Sequence, residues 1–236
     1  VIRENSIYNV CLVLNDCGGI YLDQSSTRTL AIYNLIDTGT GNRDGIYPTL
    51  PSHSAGLYFD EHAHDITAYG NTVTNHTYGA QIHNSWNIQL EENTFFANNS
   101  LQLFMQEQRN VTRAEGDTHD NKIVGNSFLP LDEKNAIYLL STSTTTYDFG
   151  SFDRNRYSTL HTPLLIVENQ PGNIRSAYTL SDWQKAANEG QPRDMDPNGQ
   201  IVASVPGYAI GTVGATIVWN GDNSSGASSW FSGTSA

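Results

Sequence analysis

The chain has 236 residues, with 24 acidic against 12 basic side chains and a formal net charge of −12. That balance excludes nucleic acid as a partner, because phosphates demand a basic footprint, and it argues more weakly against a polyanionic substrate. Hydrophobic residues make up 38% and charged ones 15%; the chain is rich in Asn, Thr, Ser, Gly and Tyr, the composition of a turn-rich β protein, and no apolar run approaches the ~20 residues of a membrane-spanning helix.

Residues 1–14 read as one coil of short strands, Asn5-Ser6-Ile7 followed by Val10-Cys11-Leu12-Val13-Leu14. Cys11 and Cys17 are close enough for a local disulfide, and two thiols facing the core of a coil are the equal alternative. A phrase then recurs: Gly18-Gly19-Ile20-Tyr21-Leu22-Asp23, Ala55-Gly56-Leu57-Tyr58-Phe59-Asp60 and, more loosely, Tyr78-Gly79-Ala80-Gln81-Ile82-His83. An Asn phrase trails each copy: Asn34-Leu35-Ile36, Asn71-Thr72-Val73 and Asn93-Thr94-Phe95. Gly56 and Gly79 stand 23 residues apart, and Asn71 and Asn93 stand 22 apart. A fixed period means stacked architecture, and this one is the length of a three-sided coil. The fold expected is all-β, a right-handed parallel β-helix with a short C-terminal helix and extra strands. Asn at one place in each coil predicts a stacked Asn ladder that satisfies its own turns.

Residues 39–55 interrupt the period with a Gly- and Pro-containing loop. Solenoid insertions map to one face, often the binding face, so this loop is read as a wall of a cleft. Residues 100–170 continue the repeat raggedly through Leu101–Met105, Asn121–Phe128, Ala136–Leu140 and Asp153–Tyr157. After Pro163 the pattern fades. Thr179–Ala187 reads as a helix with Ser181 as its N-cap; it would close the bottom of the solenoid. Two strands follow within residues 200–219, and the Ser/Gly-rich end from Gly221 reads as poorly ordered tail. The expected division is a β-helix over 1–170 and a capping segment over 171–236. The chain opens at Val1 already in repeat-like sequence, so the reading expects a C-terminal part of a longer solenoid, or a partner fragment covering the open end.

In a parallel stack, equivalent positions of successive coils lie about 4.8 Å apart. Aligning the phrases places Asp23 on Asp60, Asp60 on His83 and Gln24 on Glu61. Carboxylates stacked at that spacing repel, and one pKa rises. Such a pair is what a glycosidase uses, one acid to protonate the leaving oxygen and one ionised. Asp16, at the turn entering the first phrase, is placed to reach the same groove. His83, His53, Tyr58, Trp86 and Arg43 are the candidate substrate contacts. No cofactor is expected, and no metal, because His62 and His64 lack a closed ligand set.

Asn15-Asp16-Cys17-Gly18-Gly19-Ile20-Tyr21, Tyr33-Asn34-Leu35-Ile36, Gly56-Leu57-Tyr58-Phe59-Asp60-Glu61 and Asp65–Val73 together resemble secreted carbohydrate-active right-handed parallel β-helix proteins. These include glycoside hydrolases acting on xylan and complex plant glycans. The resemblance covers residues 10–100 well and the remainder weakly. It implies a secreted paired-carboxylate hydrolase, with Asp16 and Asp60 in the matching acidic positions; Cys17 departs from the usual first Gly of that phrase. The expected function is hydrolysis of a neutral polysaccharide by Asp60 and Asp16, supported by Asp23 and Glu61. A polyuronate lyase or epimerase ranks second, since it needs Arg or Lys where only Arg28 and Arg43 are at hand. A non-catalytic adhesin or spike is third, because fold alone cannot choose among them.

Overall fold

The computed structural model describes residues 1–24, 26–42, 44, 52–108, 118–130, 135–142, 149–158, 162–170, 174–185, 187–188, 191–192, 195–202, 208–209 and 218–219. Short strands of alternating apolar residues cannot bury a face alone, so they wind and stack. The first coil is β1 (Ile2–Arg3), β2 (Ser6–Val10) and β3 (Cys17–Leu22). The second is β4 (Leu30–Ile32), β5 (Leu35–Gly39) and β6 (Ser54–Phe59). The third is β7 (His64–Tyr69), β8 (Thr72–His76) and β9 (Tyr78–His83). The fourth is β10 (Trp86–Glu91), β11 (Thr94–Phe96) and β12 (Leu101–Glu107). β13 (Asn121–Val124), β14 (Ser127–Leu129), β15 (Ile137–Ser141), β16 (Gly150–Asp153), β17 (Arg156–Tyr157) and β18 (Ile166–Gln170) complete two more.

Each coil gives one strand to each of three parallel sheets: β1-β4-β7-β10-β13-β16, β2-β5-β8-β11-β14-β17 and β3-β6-β9-β12-β15-β18. The protein is therefore a parallel β-helix, as the repeat predicts. Inward columns run through successive coils in register. Ile36, Val73, Phe95, Phe128 and Tyr157 form one, and the rings of Phe95 and Phe128 stack at 5.5 Å. Ile20, Leu57, Ala80, Leu103, Ile137 and Ile166 form another.

The corner between the first and second sheets is the most regular feature. Glu4, Tyr33, Gly70, Glu92, Gly125 and Arg154 all hold left-handed φ, between 52° and 68°, and each immediately precedes an Asn of the ladder. Asn34, Asn71, Asn93, Asn126 and Asn155 are buried. The Asn34 backbone N–H and Nδ2 both donate to Asn71 Oδ1 at 2.9 Å. Asn71 repeats this onto Asn93 at 2.9 Å, Asn93 onto Asn126 at 3.0 Å, and Asn126 onto Asn155 at 2.9 and 3.1 Å. The ladder ends on buried Asp196, which accepts from Asn155 and, at 2.7 Å, from the Tyr157 hydroxyl.

Glycines of the repeated phrase serve packing rather than a left-handed turn. A Cβ on Gly56 would collide with Val73 Cγ1 and lie 3.0 Å from the Gly79 carbonyl; one on Gly19 would collide with Ile36 Cγ2 and lie 2.9 Å from the Gly56 carbonyl.

The C-terminal end is closed on all three sheets. β19 (Ile174–Tyr178) pairs antiparallel with β18. The helix α1 (Leu180–Lys185) follows, then the antiparallel pair β20 (Ala187–Asn188) and β21 (Gln191–Pro192). β22 (Gln200–Ile201) pairs with β17, and Met195 bridges to Phe152. Trp183 of α1 is fully buried, meets Phe152 edge-on at 4.9 Å and donates from Nε1 to Glu168 at 3.1 Å. The helix cap is Thr179, not Ser181: its hydroxyl accepts from the Asp182 N–H and donates to the Asp182 carboxylate. Ser181 is the second residue of the helix, two past the cap position.

Two more sequence expectations change. Val10–Leu14 is not one strand; β2 stops at Val10, and Leu12, Val13 and Leu14 are 64%, 80% and 67% exposed. They form the tip of a loop closed by a Cys11–Cys17 disulfide, which settles the two cysteine alternatives. The chain also divides into units of Val1–Ile201 and Val202–Ala236, so the helix and its following strands fall in the same unit as the coils, beyond the 170/171 boundary. In the second unit β23 (Tyr208–Ala209) pairs antiparallel with β24 (Val218–Trp219); the tail from Gly221 lies outside the described residues. Among the described residues no helix is long and apolar enough to cross a membrane.

Removing Asn71 by Asn71→Ala strands the buried N–H and Nδ2 donors of Asn34. At about 1–3 kcal/mol for each orphaned group, denaturant unfolding of the variant is expected to show a loss of at least about 2 kcal/mol. Gly56→Ala inserts a methyl against Val73 and is expected to lose about 1–3 kcal/mol; an unchanged midpoint would show that the corner between the second and third sheets has slack.

Candidate functional site

The outer face of the third sheet carries the candidate site. Tyr21, Tyr58, Gln81, Phe104 and Tyr138 share one register column on successive coils. Two residues further along the chain, where side chains again point outward, come Asp23, Asp60 and His83. The Asp60 N–H bonds to the Leu22 carbonyl, which keeps this register past the end of β6.

Asp60 is 8% exposed and spends both carboxylate oxygens. Oδ1 accepts from His83 Nδ1 at 2.8 Å and from the Glu61 N–H at 3.0 Å; Oδ2 accepts from the Tyr21 hydroxyl at 2.5 Å. Burial pushes the carboxyl up. The hydrogen bonds from His83 and Tyr21, the electrostatic pull of the imidazole and the Glu61 N–H outweigh burial and hold Asp60 below the ordinary aspartate value. Asp60 is thus the ionised member of any pair. Tyr21 answers in the opposite sense: burial, its bond to Asp60 and the charges of Asp60, Asp16 and Asp23 push its hydroxyl well up, so it stays a proton-bearing donor.

Asp16 reaches the same face from the disulfide loop. Its φ is 56°, and its N–H bonds to the His53 carbonyl at 2.9 Å. Its Oδ1 accepts from the Tyr58 hydroxyl at 3.1 Å and lies 3.6 Å from His53 Nε2. The Tyr21 and Tyr58 rings meet edge-to-face at 4.8 Å, so the hydroxyls serving Asp60 and Asp16 belong to adjoining rings. Burial, with the charges of both aspartates, pushes the Tyr58 hydroxyl well up.

Of the nine residues singled out from sequence, Asp60, His83, Asp16, Tyr58 and His53 join in one hydrogen-bonded and stacked group. Asp23 is half-buried one coil above Asp60, and its charge is felt at Tyr21. Glu61 follows Asp60 in the turn, where Asn84 Nδ2 donates to Oε1 at 3.4 Å and His62 Nε2 lies 3.8 Å from Oε2. His53 bonds Gln81 at 2.5 Å, stacks on Tyr58 at 5.7 Å and meets Tyr78 edge-on at 5.2 Å.

Tyr58 is 2% exposed, so its ring is covered and its contribution runs through the hydroxyl, not through a sugar-stacking face. Trp86 lies on a different sheet: it opens β10 opposite His64, with His64 edge-on at 4.8 Å and His119 stacked at 5.9 Å. Arg43, and residues 45–51 of the insertion read as a cleft wall, lie outside the described residues. The described part does border the site: His53 N donates to Asn15 Oδ1 at 2.7 Å and Asn42 N to the Leu14 carbonyl at 2.9 Å.

Tyr21 and Gln81 are neighbours within the candidate site that sequence reasoning passed over. Their signal was alternation itself: Tyr21 and Asp23, like Tyr58 and Asp60, sit two apart and face the same way, which makes Tyr21 and Asp60 diagonal neighbours on adjacent strands. Asp60, Glu61 and His83 also offer donor atoms within 4.8 Å of one another, a set the His62/His64 reading missed.

A family model described as periplasmic copper-binding protein (NosD), of the parallel β-helix type, matches residues 48–156, a little under half of the chain. No curated protein and no solved structure matches the chain.

Tyr21→Phe deletes one donor to Asp60 and leaves the fold's packing intact. Carboxyl NMR titration is expected to place Asp60 below an ordinary aspartate in the parent and higher in the variant. An unmoved midpoint would mean that the hydroxyl does not stabilise the ionised form.

Proposed function

We propose that the chain hydrolyses a neutral polysaccharide on the outer face of the third sheet. The supporting observation is the convergence of Asp60 and Asp16 on the adjoining hydroxyls of Tyr21 and Tyr58. Two carboxyls flanking one groove are what glycosidic cleavage requires. Asp60, held ionised, attacks the anomeric carbon or activates water; Asp16 is the second carboxyl of the pair, on the side of the leaving oxygen. Tyr21 and His83 keep Asp60 in place.

A lyase or epimerase would need a cation to neutralise the uronate. Among the described residues no Arg or Lys joins the hydrogen bonds of the Asp60 group. The acidic net charge favours a neutral chain in the same way. The Cys11–Cys17 disulfide fits an oxidising compartment outside the cytosol, and the description of the matching family fits the same place.

That description also names copper, and the donor set can be tested against it. The donors beside Asp60 are carboxylate and imidazole, which suit Cu(II) and Zn(II). Soft ligands for Cu(I) do not reach it among the described residues: both cysteines are bonded to each other, and Met105 is sealed in the core. The residues fit the oxidised ion only.

Neutral and uronic polysaccharides assayed side by side, for new reducing ends and for unsaturated uronate absorbance, test the reading. Reducing ends from a neutral glycan are expected, with a loss of at least about a thousandfold in Asp60→Asn and little change in its thermal transition. Retained activity removes Asp60 from the mechanism; absorbance from a uronate promotes the lyase; neither signal leaves the non-catalytic spike.

A further inference from the structure

Buried polar atoms are almost always hydrogen-bonded, and an exception calls for an explanation. His83 Nε2 is such an exception: it is sealed from solvent and has no partner among the described residues. The opposite ring nitrogen is fully engaged, donating to Asp60 at 2.8 Å. A carboxylate is an acceptor, so Nδ1 is the donor, and in the neutral form that metal ligation requires the ring's lone pair is on Nε2. An imidazole fixed through Nδ1 by a carboxylate, with Nε2 unspent, is the arrangement that metal-ligating histidines adopt.

The neighbours fit that role. Glu61 follows Asp60 directly, and donor atoms of Asp60, Glu61 and His83 lie within 4.8 Å of one another. Asp60 is occupied by three hydrogen bonds, so it orients the ring. Glu61 is placed by the turn, where the Asp60 carbonyl accepts from the Ala63 N–H and the Asn84 carbonyl from the His62 N–H. We propose that His83 Nε2 and the Glu61 carboxylate hold a divalent transition-metal ion of nitrogen–oxygen preference, with Asp60 as the residue that positions His83. The site does not depend on the hydrolytic reading, since its occupant is measured without any substrate.

Calorimetric titration of the whole chain with Cu(II) alone and with Zn(II) alone, in a non-coordinating buffer, tests the site; Cu(II) electron paramagnetic resonance reads the ligands. One ion per chain is expected, with nitrogen hyperfine structure from imidazole. His83→Gln and Glu61→Gln are each expected to weaken binding by at least about tenfold, and Asp60→Asn by about ten- to a hundredfold through loss of ring orientation. His119→Gln, a half-exposed imidazole just before β13, should bind as the parent does. Glu61→Gln changes a half-exposed turn residue, which keeps the test decisive should His83→Gln fold poorly. The proposal fails if neither ion binds, if Glu61→Gln binds as tightly as the parent, or if His119→Gln loses the ion instead.

Discussion

The whole structure hangs on a repeated side-chain amide contact. At each turn between the first and second sheets, one Asn oxygen receives both the backbone N–H and the side-chain N–H of the Asn one coil before. Each Asn follows a left-handed residue, and only two of those residues, Gly70 and Gly125, are glycines. For Tyr33, Glu92 and Arg154 that conformation costs roughly 1–2 kcal/mol each. Two hydrogen bonds per rung, in a place where unpaired amides would be buried, offset the cost. The ladder thereby fixes the rise between coils and forbids a register slip, since a slip by one residue would turn every side chain to the wrong face. Placement of Asp60 above His83 on the far sheet is a consequence of that fixed register.

Asp60 and Asp196 show how the same fold pushes one buried carboxyl up and holds another down. Asp196 closes the ladder, and burial, the largest influence on it, pushes it up despite the Tyr157 and Asn155 donors. Asp60 is less buried than Asp196, is served by an imidazole as well as a phenol, and is held down. The difference lies in the partners: Asp196 is served by an amide and a phenol, which only partly offset its desolvation, whereas Asp60 is served by an imidazole N–H, a phenol and a backbone N–H together. A carboxylate kept ionised in a near-closed surface, linked to a ring with an unspent nitrogen, is a poor choice for stability alone.

Much of this was legible in the sequence, and the misses have physical causes. The spacing of Gly56 and Gly79 and of Asn71 and Asn93 carried the coil, and the repeated phrase carried Asp60 onto His83, because a parallel stack converts sequence period directly into contact. Leu12, Val13 and Leu14 misled because apolarity was taken for burial, while the Cys11–Cys17 closure had already turned that segment into a loop. Trp86 was assigned to the groove by residue type; its position opening β10 puts it on another sheet. The burial of Tyr58 depends on what covers it, including His53 after the insertion, and no periodicity speaks to that. The sugar chemistry rests on resemblance and on the acids, whereas the family match speaks for the fold class.

The turn that joins the third sheet to the first concentrates these strands of argument. Glu61 and His62 are consecutive non-glycine residues with φ of 28° and 69°, conformations that L side chains enter at a cost. Such a pair persists only where the surroundings over-determine it. Here the His62 N–H is tied to Asn84, the Ala63 N–H to Asp60 and the Asp60 carboxylate to His83 and Tyr21. The pairing of β6 with β9 and the fixed rise of the ladder hold every one of those partners. A Gly-Gly turn would relieve the strain and remove the donors. The corner instead keeps a carboxylate and an imidazole beside Asp60, so the local strain is borne by the solenoid as a whole.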